Sequence, residues 1–168
     1  MNTETEYIEL VARMRDTVYR LARSITLNDA EAEDIAQDVF ERVWLMREKI
    51  IKSDYPRAYV CRIAHNLAID RCRERTRKQE FESLERHTTA SNGDVATDIS
   101  DMAALTLKLI NQLPEKQRIA IHLRDVEGCE IEEIAEVIGC DDSSVRMNIS
   151  RARKALREQI IAIMNYGV

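Results

Sequence analysis

Four glycines and two prolines in 168 residues leave this chain few places to turn sharply. A sandwich or barrel joins many short strands by tight turns, and those turns draw heavily on Gly and Pro. That class is excluded, and the abundance of Ala, Glu, Arg, Leu and Ile points to helices. The length allows one ordinary domain or two small ones, each with a modest core. The longest purely apolar run, Ile160 to Met164, falls far short of the roughly 20 residues a membrane span needs. The acidic opening Met-Asn-Thr-Glu-Thr-Glu lacks the basic and apolar regions of a signal peptide. A cytoplasmic protein without membrane insertion is expected, with Cys61, Cys72, Cys129 and Cys140 as reduced thiols.

Helical periodicity covers nearly the whole chain. Leu10, Met14, Val18, Leu21 and Ile25 form one apolar stripe at spacings of four and three. Asn28 or Asp29 caps a second helix, which carries Ile35, Val39, Val43 and Met46 inward and ends near Lys49. Ser53 or Asp54 and then Pro56 open a third, where proline suits the first position. Its apolar residues Tyr59, Val60, Ile63, Ala64 and Leu67 stop near Ile69. Beyond them it is polar and basic through Lys78, so its far end should project from the core. Residues 87–100 lose all periodicity and gather Ser, Thr, Asn, Gly and Asp, the composition of a mobile linker. Helices resume near Asp101, after Pro114, near Glu130 and near Asp142. The expected fold is all-α: two small helical domains, residues 1–86 and 101–168, joined by a flexible linker at 87–100.

Charge is segregated along this pattern. The net charge of −5 argues, taken whole, against a nucleic-acid partner. Yet residues 57–79 carry seven basic groups against two acidic ones, and residues 143–168 carry five against one. Two basic stripes, one in each half, therefore sit in an otherwise acidic protein, and charge alone leaves a solvated face as the alternative.

The second stripe coincides with a helix-turn-helix pattern. Ala135 supplies the small residue where two helices cross, Gly139 the turn residue tolerant of positive φ, and Val145 the apolar anchor of the following helix. Asp141 or Asp142 can cap that helix. Val145, Ile149, Ala152 and Leu156 form its buried stripe. The opposite face presents Ser143, Ser144, Arg146, Met147, Ser150, Arg151 and Lys154, short hydroxyls and forked cations suited to phosphates and base edges in a major groove.

In the first half the helix from Asp29 presents Glu33, Asp34, Gln37, Asp38 and Glu41 on its polar side. That surface suits a basic or polar protein partner and does not suit DNA. The third helix is the opposite, with Arg62, His65, Asn66, Ile69 and Arg73 on one face. Asn66 reads equally as a base contact or as a cap on the preceding loop, Ile50 to Tyr55, which could capture an extruded base. Cys61, His65 and Cys72 match no common zinc spacing, so no metal is expected. No phosphate-binding glycine loop and no nucleophile–base pair occurs, so neither catalysis, a cofactor nor a small-molecule substrate is expected.

These residues resemble a family. Asp29 through Trp44, continued by Tyr55 through Arg73, resembles region 2 of bacterial sigma factors. Leu113-Pro114-Glu115-Lys116-Gln117-Arg118, with the helix-turn-helix through Leu156, resembles region 4. Two such regions in this order are similar to an extracytoplasmic-function (ECF) sigma factor over nearly the full chain. The resemblance implies that Asp34, Gln37, Asp38 and Glu41 dock on core RNA polymerase. It implies that Arg62, Asn66, Asp70 and Arg73 recognise and help open the −10 element of promoter DNA. It implies that Ser144, Arg146, Met147, Ser150, Arg151 and Lys154 read the −35 element. Asn148 stands where a basic residue is frequent and Met147 where a small polar one is common, which bears on the −35 sequence read. An anti-sigma factor clamping both domains is a further partner the resemblance brings. The alternatives are a stand-alone helix-turn-helix transcriptional regulator and a helical adaptor that binds only protein.

Overall fold

A computed structural model describes residues 2–85 and 102–166, and among them the only regular structure is helical. Asn2 opens α1 (Thr3–Thr26) by accepting from the Glu4 N–H. The stripe Leu10, Met14, Val18, Leu21 and Ile25 is buried along it. α1 stops where Leu27 turns left-handed at φ 56°, its N–H bonding back to the Arg23 carbonyl. Asn28, rather than Asp29, caps α2 (Asp29–Leu45), accepting from the Glu31 N–H at 2.9 Å.

α2 ends at Leu45, short of the expected Lys49, and the chain resumes as α3 (Arg47–Ile51). Met46 leaves helical geometry there, and Arg47 folds back so that its guanidinium donates to the Trp44 carbonyl at 2.8 Å. The same guanidinium lies 4.0 Å from the Trp44 ring centroid, a cation–π contact that the hydrophobic periodicity did not encode. Ser53 donates to the Ile50 carbonyl, closing α3 rather than capping the next helix. Pro56 is the first residue of α4 (Pro56–Glu85), as its fixed φ predicts. α1 packs on both α2 and α4 around Ile35, Val39, Val43, Val60, Ala64 and Ala68. Past Ile69, α4 runs on with Phe81 and Leu84 exposed.

The second half comprises α5 (Met102–Asn111), α6 (Glu115–Ile121), a π-helical turn over His122–Val126, α7 (Ile131–Ile138) and α8 (Asp142–Tyr166). Glu130 caps α7 in a reciprocal box with Glu133. Gly139 adopts φ 78°, the left-handed turn expected of it. Asp141, not Asp142, caps α8, accepting from the Ser144 N–H at 2.8 Å. Val145, Ile149, Ala152 and Leu156 are buried.

The halves share a core. Ile119, Leu123, Cys129, Ile134 and Val145 belong to the same buried cluster as Val18, Ile35 and Val60. α7 lies against α4 and α6 against α1. The expected linker, residues 87–100, lies outside the described residues.

Candidate nucleic-acid interface

Three polar stripes emerge on exposed faces. On α2, Asp34, Gln37, Asp38 and Glu41 are all exposed, and their spacing of three and four puts them on one side of the helix, opposite Ile35, Val39 and Val43. On α4, Arg62, Asn66, Asp70 and Arg73 are likewise exposed. Asn66 Oδ1 lies 3.2 Å from His65 Nδ1 with its side chain out in solvent, so it does not cap the loop before α4. Burial holds the His65 imidazole below its usual value, keeping it neutral beside that face. Tyr55, at the end of that loop, is 59% exposed, an unusual setting for an aromatic ring and one open to stacking.

On α8, Met147, Ser150, Arg151 and Lys154 are exposed at spacings of three, one and three, with Arg146 exposed beside them and Ser144 half-buried. Asn148 turns back to its own helix, its amide donating to the Ser144 carbonyl at 3.0 Å. Arg124, Arg146, Ser150, Arg153 and Arg157 line an open groove of about 460 Å³ beside this face. Arg146 and Arg157 there offer forked donors to phosphate oxygens, while Arg124 donates to the Cys129 carbonyl at 2.8 Å and lies 3.3 Å from Glu130. Arg153 is committed locally, with Nη2 2.7 Å from Asp125 and Nε 3.3 Å from it.

Sequence reasoning counted every cation of the two basic stripes alike, and the structure divides them. Arg75 holds Glu31 at 2.8 Å and the Thr26 carbonyl at 3.1 Å, tying α4 to the end of α1. Arg57 donates to the Glu127 carbonyl. Neither points towards a ligand. A second set of residues makes long-range polar contacts to which no sequence pattern pointed. Glu127, whose side chain is 2% exposed, receives Arg20 in a bidentate pair at 2.8 and 3.0 Å and has His122 Nε2 3.3 Å away. Burial raises the Glu127 carboxyl, but the neighbouring His122, Arg20 and Thr17 side chains together outweigh it and hold the group at about 2. Arg118, buried, donates to the carbonyls of Ser24 at 2.7 Å, Leu113 at 3.1 Å and Ile25 at 3.5 Å. Ser24 and Ile25 lie in the last turn of α1, where carbonyls lack helical partners and the helix dipole favours a cation.

Cys61 and Cys129 are fully buried and Cys72 half-buried, its thiol 3.6 Å from the Ile25 carbonyl. The first two sit in the shared packing, and the third meets a backbone acceptor.

Known families match both halves of the chain. The family described as "Sigma-70 region 2" matches residues 10–78, and "Sigma-70, region 4" matches residues 104–156. The ECF RNA polymerase sigma factor SigW of Bacillus subtilis is 29% identical, the match covering 92% of this chain and 88% of that protein. The RNA polymerase sigma-E factor of Streptomyces coelicolor is 28% identical over 96% of this chain and 90% of that protein. ECF sigma factor SigE of Mycolicibacterium smegmatis is 30% identical over 90% of this chain but 60% of its own length. In fold, the chain resembles the sigma factor RpoE solved with the anti-sigma factor NepR from Bartonella quintana, with a TM-score of 0.74, 23% identity, and coverage of 92% of this chain and 96% of that one. It also resembles CnrH solved with the cytosolic domain of CnrY, with a TM-score of 0.65, 23% identity and coverage of 95% and 90%.

Proposed function

The chain belongs to the ECF RNA polymerase sigma factors, and from that premise we propose how its surfaces divide the work of initiation. A sigma factor binds core RNA polymerase, directs it to promoters and supports DNA opening. Residues 1–86 form the unit for polymerase and the −10 element, and residues 101–168 the unit for the −35 element. The exposed carboxylates Asp34, Asp38 and Glu41, with Gln37, meet a basic surface of the core enzyme. Arg62, Asn66, Asp70 and Arg73 contact the −10 strand, and Ser144, Arg146, Met147, Ser150, Arg151 and Lys154 enter the −35 major groove.

The observation that carries this reading is the separation of one acidic and two basic stripes onto three exposed helix faces, each opposite a buried apolar stripe. The protein supplies contacts and no catalysis; the polymerase performs the chemistry. It acts in the cytoplasm, where polymerase and chromosome are, and no described helix is long and apolar enough to cross a membrane. An anti-sigma factor that covers both DNA-reading faces would hold it silent.

Transcription with purified core polymerase on fragmented genomic DNA of the source organism tests the proposal. Discrete start sites that appear only when this protein is added are expected. Tight operator binding without polymerase, with no initiation, would overturn it in favour of a stand-alone regulator.

A further inference from the structure

The seam between the halves is held by polar contacts running in both directions. Arg118 of the second half enters the carbonyl end of α1, while Arg20 and Arg57 of the first half converge on Glu127. Beside them the first turns of α4 face α7 across a cleft of about 390 Å³, whose walls include Tyr55 and Arg62 on one side and Glu132, Glu136 and Asp142 on the other. Glu136 comes within 4.0 Å of Arg62. A nucleic-acid strand would bring phosphate oxygens to that guanidinium and a base to that ring. α7 brings carboxylate oxygens to the same place.

We infer that the second half masks the Arg62 end of the −10 reading face in cis, the α7 carboxylates Glu132 and Glu136 standing where promoter phosphates go and the Arg20–Glu127 pair latching them there. The inference rests on the −10 assignment of α4 proposed above. Glu136 weakens contact between Arg62 and DNA by standing beside it, Glu132 adds its charge to the same cleft, and the latch makes the arrangement a defined state. Glu127 has its charge satisfied from both halves, so parting them leaves it without Arg20 and without the Arg57 contact. Parting them also uncovers Cys61 on α4 and Cys129 before α7, 0% and 1% exposed when closed. Burial pushes these thiols up to about 12 and about 11, so the closed state keeps them unreactive as well as covered.

That burial supplies the test. In the full chain carrying Cys72→Ser and Cys140→Ser, the two remaining thiols are followed with an aromatic disulfide reagent. They should react at least about tenfold more slowly than in the Arg20→Glu version, which keeps the helices but repels Glu127. Native thiols that react as fast as those of the urea-unfolded chain would overturn the closed state. The mask is read separately, by fluorescence anisotropy with a labelled single strand of random sequence, about 30 nucleotides long. Glu132→Gln/Glu136→Gln should bind it about three- to tenfold more tightly than the charge-matched surface control Glu33→Gln/Glu48→Gln. Adding Arg62→Ala should remove that gain. Equal binding by the two pairs would overturn the mask. Should Arg62→Ala and Arg73→Ala leave strand binding unchanged even in the Arg20→Glu chain, the −10 assignment itself would fall.

Discussion

Arg118 sets two large effects against each other. Burial disfavours its charge, and the guanidinium sits below its usual value for that reason. Against this stand hydrogen bonds to carbonyls in the last turn of α1 and to Leu113, each charge-assisted and each left unmade if the side chain goes. An unsatisfied buried acceptor costs more than the relieved desolvation returns, so Arg118→Met should destabilise the chain by about 1–3 kcal/mol, read as a lower urea midpoint. Glu127 is the matching anion. Its folded value of about 2 lies below the ordinary 4.5, so the pairing contributes stability above pH 4.5 that drains away as pH falls towards 2. About 3 kcal/mol is at stake on that shift. Acid titration of unfolding stability should therefore show a loss between these pH values, and Glu127→Gln should flatten it. Nothing in the sequence marked the contacts of either residue, because each reaches an atom distant along the chain.

At the level of single helices, the sequence was largely legible. Apolar spacing is a local property, so the stripes on α1, α2, α4 and α8 were readable and their opposite faces followed by geometry. Two caps were readable to within a residue: Asn28 and Asp141 were each one of two candidates, whereas Ser53, offered as a cap for α4, closes α3 instead. The break at Met46 was not readable, since it depends on Arg47 folding over Trp44. Three predictions belong to these faces. Asp38→Lys, a reversal in the middle of the exposed α2 stripe, should weaken assembly with core polymerase by at least about tenfold while leaving thermal stability nearly unchanged. Co-elution of the variant with core enzyme at native strength would count against the α2 assignment. Lys154→Ala on α8 should weaken promoter binding by the assembled holoenzyme about equally at all sequences and lower its salt slope by about 1, as loss of one phosphate contact does. Arg151→Ala, by contrast, should relax preference at particular −35 positions, visible in a promoter library.

For the whole molecule, the net charge of −5 conceals its own arrangement. An acidic total with a few exposed cations on each reading face neutralises few phosphates, so the protein alone should bind duplex promoter poorly and gain its affinity within the holoenzyme. Nanomolar, promoter-specific duplex binding by the lone chain at physiological salt would contradict this. Periodicity, capping and turn chemistry act over a few neighbouring residues, so the helices, their buried and polar faces, the helix-turn-helix and the family membership were legible from the amino acids in order. Which charges remain for a partner depends on how the helices pack together. Arg57, Arg75 and Arg118 look like any other cations in the chain, yet long-range placement commits them to carbonyls and to Glu31. The same placement brings Arg62 against Glu136 and Arg20 against Glu127. A charge has no periodicity to betray its partner; the pairing is fixed when two apolar surfaces pack and carry their polar rims together.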